Sequence, residues 1–82
     1  MSSDKRREKM HTLDVTVWVG KNGVESVVDE LETQLEDRRY VKVKFHRSAR
    51  GGTDTDALAA DLADRVNATA VETRGHTAVI ER

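Results

Sequence analysis

Apolar and polar positions along the chain switch between two periods. From Asp14 to Val19 they alternate, with Val15, Val17 and Val19 on one side and Thr16 and Trp18 on the other. A period of two predicts a strand. Val24, Val27, Val28, Leu31 and Leu35 then recur at i, i+3, i+4, i+7 and i+11, which predicts an amphipathic helix over 23–38. Asn22 stands where an N-cap belongs, with Glu25 three positions on as its reciprocal partner. Period two returns over Tyr40–His46: Val41, Val43 and Phe45 face one way, Lys42, Lys44 and His46 the other. Arg47 to Thr53 reads as a flexible basic loop. Thr53, with Asp56 three residues later, opens a further helix whose stripe is Leu58, Leu62 and Val66 with Ala59 and Ala63 beside it. Thr69–Thr73 and Thr77–Ile80, joined through Arg74-Gly75-His76, predict a closing hairpin in which Gly75 supplies a positive φ. Residues 1–12 have a helical composition, but only Met10 and then Leu13 are apolar anchors, so a short or frayed helix is expected there.

The resulting order, α-β-α-β-α-β-β, at a length of 82 residues predicts one α/β domain over 1–82 with a modest core. Crossovers of one hand that keep moving in one direction place the second and third helices on the same sheet face. A hydrophobic content of 37% against 35% charged suits such a thin two-layer fold. No internal repeat, linker or low-complexity tract interrupts it, and there is no proline.

The absence of cysteine excludes disulfides, zinc–thiolate sites and thiol catalysis. No apolar stretch reaches the length of a membrane span, and the opening Met1-Ser-Ser-Asp-Lys-Arg-Arg is not a signal peptide, so a cytoplasmic protein without membrane contact is expected. His11, His46 and His76 lack metal-ligand spacing, and the acids of the second helix lack an Asp-x-Asp pattern. With no nucleophile–base pair either, an enzyme is not expected, and neither is a cofactor or a metal.

Net charge is only −1, yet the signs are segregated. Arg38 to Arg50 holds six basic residues (Arg38, Arg39, Lys42, Lys44, Arg47, Arg50) and no acid, and Lys5, Arg6, Arg7 and Lys9 form a second basic cluster. Val24 to Asp37 holds six acids (Glu25, Asp29, Glu30, Glu32, Glu36, Asp37) and no base. Folded as above, the chain carries an acidic helical back and a basic front with Lys42, Lys44 and Trp18. Gly20-Lys21-Asn22-Gly23, at the strand-to-helix turn, puts little bulk in the way of a phosphate backbone and precedes the positive end of a helix.

These residues carry a family resemblance. Leu13-x6-Gly20-Lys21-Asn22-Gly23-Val24, Tyr40-Val41-Lys42-Val43-Lys44 and Gly75-His76-x-Ala-Val-Ile-x-Arg82, in this order and spacing, resemble the YhbY/CRM (chloroplast RNA splicing and ribosome maturation) RNA-binding domain over roughly residues 5–82. The resemblance implies a two-layer fold with a mixed four-stranded sheet, like the C-terminal domain of translation initiation factor 3. It also implies a function, binding of structured RNA by backbone and shape, with ribosomal RNA during large-subunit assembly as the expected target. The loop Gly20, Lys21, Asn22 and Gly23 corresponds to a backbone-clamping Gly-x-x-Gly, as in KH domains. Arg7 with its neighbour Arg6, and the Lys42/Lys44 strand, carry over as basic positions. The chain departs from the pattern at Arg6 and Lys9, which stand where the family's first helix has leucines, and at Val15, which stands for a proline. It also lacks the residue after Gly23 that usually caps the next helix.

Several positions admit a plainer reading. Lys42 and Lys44 fit RNA contact or the ordinary solvated face of a strand. Arg47 and Arg50 sit on a loop that orders on a phosphate backbone or is merely a surface loop. Trp18 reads as core packed under the N-terminal segment, with base stacking as the alternative. Two rival functions remain at this level: a protein-interaction module docking on the ribosome through its acidic helices, and an Alba-type chromatin protein that binds duplex DNA as a dimer. The leading expectation is a monomeric RNA-binding protein.

Overall fold

The computed structural model describes residues 13–82. The helix expected over 1–12, and with it Arg6 and Arg7, lies outside them. Four strands, β1 (Val15–Val19), β2 (Tyr40–Phe45), β3 (Thr69–Arg74) and β4 (Thr77–Glu81), form one sheet in the order β1-β2-β4-β3. β1 pairs parallel with β2, and β4 pairs antiparallel with both β2 and β3, so the sheet is mixed as expected. Two helices, α1 (Val28–Asp37) and α2 (Thr55–Arg65), connect the strands, with 3-10 turns at Val24–Val27 and Arg47–Ala49.

One core holds the layers together. Val17 and Val19 of β1, Val41, Val43 and Phe45 of β2, and Ala78 and Ile80 of β4 share it with Leu31 and Leu35 of α1 and Ala59, Leu62 and Ala63 of α2. Both helices therefore cover the same sheet face, and their acids Asp29, Glu30, Glu32, Asp61 and Asp64 all face solvent. Burying a Val or Leu side chain contributes about 1.5–3 kcal/mol, so this single interior accounts for the preference for two layers.

Four local expectations are corrected. The alternation of β1 breaks at a bulge between Val15 and Val17: Val15 pairs with Lys42, whereas Thr16 turns to the helices and bonds Gln34 of α1. The helix expected over 23–38 begins as the 3-10 turn, and its N-cap is Gly23 with no side-chain capping bond, so Asn22 does not cap it. Instead Ser26 Oγ donates to Gly23 O at 2.8 Å. For α2 the cap is Asp54, whose side chain accepts from Ala57 N at 2.8 Å, and not Thr53. The stretch after β2 is not simply a flexible loop, because the Arg47–Ala49 turn rests Ala49 against the core.

Both outer strands of the sheet are irregular, since β3 carries a second bulge between Ala70 and Glu72. The β3–β4 hairpin closes in two residues, Gly75 and His76, with Gly75 at φ 59° as the turn requires.

Candidate nucleic-acid interface

Strand polarity gathers the connections at one end of the sheet. β1 and β2 run parallel, so the segments that follow them leave from the same edge. β4 runs against β2 and therefore begins there too. Two backbone bonds lock the arrangement: His46 N donates to Val19 O and Phe45 N donates to His76 O, each at 2.8 Å. The Gly20–Gly23 turn, the Arg47–Arg50 segment and the Gly75–His76 hairpin tip thus stand side by side.

Within the Gly20–Gly23 turn, Gly23 N donates to Gly20 O at 3.0 Å, leaving Lys21 and Asn22 as the exposed central residues. Gly23 takes φ 79° and ψ −179°, a conformation reserved almost entirely to glycine. Gly20 is under no such constraint. A Cβ placed on it would meet Ser48 Oγ at 3.9 Å, an ordinary contact that also shows how closely the turn lies against the Arg47–Ala49 segment.

The cations divide into two groups. Arg39 donates to Glu81 at 2.9 Å and Arg65 donates to Asp61 at 3.0 Å; these hydrogen bonds, each reinforced by its carboxylate's charge, raise both arginine pKa values above the ordinary one. Arg82 likewise is engaged, donating to Val66 O at 3.2 Å and standing 3.5 Å from Glu32. By contrast, Lys21, Lys44 and Arg47 are exposed and form no ion pair among the described residues. Charge left uncompensated at one edge is what a polyanion would neutralise.

Arg50 is half-buried, and its Nε has no hydrogen-bond partner among the described residues. It lines an open cleft between the start of α2 and the hairpin tip, shared with Asp54, Asp56, Arg74 and His76. This hairpin contribution was missed by the sequence reading, which treated Arg74 and His76 only as turn residues. The antiparallel pairing of β4 with β2 is the signal that places them beside the glycine turn.

Lys42 and Lys44 lie on the sheet face away from the helices, as expected, but differ in exposure. Lys42 is half-buried opposite the buried Val79, and Lys44 is open to solvent. Trp18 is corrected more sharply: it is 53% exposed and not part of the core. Among the described residues no cluster of His, Cys, Asp or Glu could hold a metal ion, and no helix is long and apolar enough to cross a membrane.

A family model for the CRS1 / YhbY (CRM) domain matches residues 2–82. The chain belongs to this family. CRM domains are non-catalytic RNA-binding modules, which places the chain with them and not with Alba-type chromatin proteins. The chain is 38% identical over 76 residues to the probable RNA-binding protein MJ0652 of Methanocaldococcus jannaschii, covering 93% of this chain and 57% of that protein. It thus spans little more than half the length of that curated relative. The solution structure of SAV1595 from Staphylococcus aureus, a candidate RNA-binding protein, superposes with a TM-score of 0.76 at 27% identity, covering 93% of this chain and 78% of that one.

Proposed function

We propose that this CRM chain binds structured RNA through its phosphate backbone and shape, at the sheet edge built from the glycine turn, the Arg47–Arg50 segment and the hairpin tip. The observation that carries this reading is the convergence of Lys21 and Arg47, exposed and without ion pairs among the described residues, beside a turn whose central residues project into solvent. Lys21 and the turn amides of Gly20 and Asn22 clamp phosphates, while the Gly23 amide closes the turn onto Gly20 O. Arg6, Arg7, Arg47 and Arg50 extend the electrostatic track, with Lys42 and Lys44 on the adjoining face. The outer-face acids of the helices, Asp29, Glu30, Glu32, Asp61 and Asp64, lie across the sheet from Lys42 and Lys44, whereas Asp54 and Asp56 at the start of α2 share the cleft with Arg50.

The target we favour is ribosomal RNA of the large-subunit precursor, bound by a monomer in the cytoplasm. Crosslinking in cells followed by sequencing of the bound RNA tests this. Enrichment of large-subunit precursor sequences supports it, and enrichment of unrelated transcripts removes it. Capture of ribosomal protein with no binding to naked RNA would favour docking through the acidic helices instead.

A further inference from the structure

The chain has a single tryptophan, and Trp18 is the one large apolar side chain among the described residues that stands exposed, at 53%. Isolated exposed apolar residues are common and ordinarily carry no message. The surroundings of this one are unusual. Val17 and Val19 on either side are wholly buried beneath the helices, so the indole projects from the opposite sheet face. Its partner across the parallel ladder is Lys44, which is exposed and forms no ion pair among the described residues. Two residues along the strand the Gly20–Gly23 turn begins, a separation of about 7 Å in extended chain. An open aromatic face, a free cation on the adjacent strand and a phosphate-friendly turn therefore lie within the reach of one nucleotide.

We propose that Trp18 is a stacking platform for an unpaired base of the bound RNA, with Lys44 neutralising a phosphate next to it. The inference rests on the RNA-binding reading above and adds a preference to it. Bases inside a duplex have both faces covered, so only a looped, bulged or single-stranded nucleotide presents a face to the indole. Stacking is tolerant of base identity because every base has a π-face, so the preference is for unpaired structure more than for sequence. The acids of this sheet face stand away from Trp18 and Lys44. Glu72 is two strands from β2 on β3, and Glu81 lies opposite Tyr40 at the other end of β2, where Arg39 pairs with it, which leaves the Trp18–Lys44 end favourable to an anion.

The sole tryptophan is its own probe. Its fluorescence is followed while a short unpaired RNA of adenosine and cytidine, or the same strand annealed to its complement, is titrated at fixed salt. Quenching by the unpaired strand is expected. Trp18→Ala is expected to weaken that complex about tenfold and to abolish the preference for unpaired over duplex RNA, while Trp18→Phe, which keeps a ring, regains most of the affinity. Binding with unchanged emission, together with wild-type affinity in Trp18→Ala, overturns the stacking role and leaves the RNA-binding reading in place. No binding of either RNA by the unaltered chain overturns both. A change in native mass on Trp18→Ala assigns the ring to self-association and overturns the proposal as well.

Discussion

Thr16 and Gln34 exchange two hydrogen bonds across the sheet–helix boundary: Thr16 Oγ1 donates to Gln34 Oε1 at 2.5 Å, and Gln34 Nε2 donates to Thr16 O at 3.2 Å. The bulge in β1 makes this possible by turning Thr16 toward α1. Gln34→Leu removes both bonds and leaves the Thr16 hydroxyl and carbonyl half-buried without them. A loss of about 1–2 kcal/mol is expected in urea unfolding. Adding Thr16→Val to the same chain should recover part of it, since an unsatisfied hydroxyl costs more than an absent one.

The two glycines of the turn answer to different demands. Gly23 is held at φ 79° by the backbone, so Gly23→Ala should destabilise the fold by about 1–3 kcal/mol. Gly20 has room for a methyl group, so Gly20→Ala should unfold within about 0.5 kcal/mol of the parent. Under the proposed phosphate clamp its expected effect is on RNA affinity, because a methyl group adds bulk to the turn. Paired thermal melts and gel shifts separate the two roles, and similar melting losses for both variants would erase the distinction.

Lys21→Glu with Asn22→Asp reverses charge at the exposed tip without touching the core. RNA affinity should fall at fixed salt while the melting temperature stays close to the parent's. In the parent, the log–log slope of affinity against salt should be negative, by roughly 0.7–0.9 for each phosphate neutralised. The double variant should show a shallower slope. An unchanged gel shift would remove the turn from the interface.

Asp54 caps α2 through its bond from Ala57 N. Asp54→Ala should cost about 1 kcal/mol and Asp54→Asn much less, since an amide oxygen also accepts. Circular dichroism melts of the two variants give the comparison.

The regular elements were legible because packing obeys the same periods that the residues display. Val41, Val43 and Phe45 are buried on alternate positions, as their spacing demands, and Leu31 and Leu35 line the inner face of α1. Periodicity failed where the backbone leaves its own rule. Thr16 reads as outward in an ideal strand and points inward only because an extra residue enters the register. Asn22 has a capping side chain, but the backbone bond from Gly23 N to Gly20 O folds it into a turn and hands the cap position to Gly23. Alternation sets Trp18 on the face away from the helices, but the expectation that the N-terminal segment would bury it there does not follow from any period, and the ring stands exposed. The proposed interface was half visible: the glycine turn and the Arg47–Arg50 segment stood out in composition, whereas the hairpin tip joined them only through the antiparallel pairing of β4 with β2.

The bulges in β1 and β3 fall on the two outermost strands of the sheet. A chain without proline has no ring to block the addition of a foreign strand. Here a break in the ladder stands in for one, presenting a mismatched row of donors and acceptors to any strand that approaches. A substitution that smoothed either register would therefore make each molecule more regular and the solution less so, as neighbouring sheets began to join edge to edge.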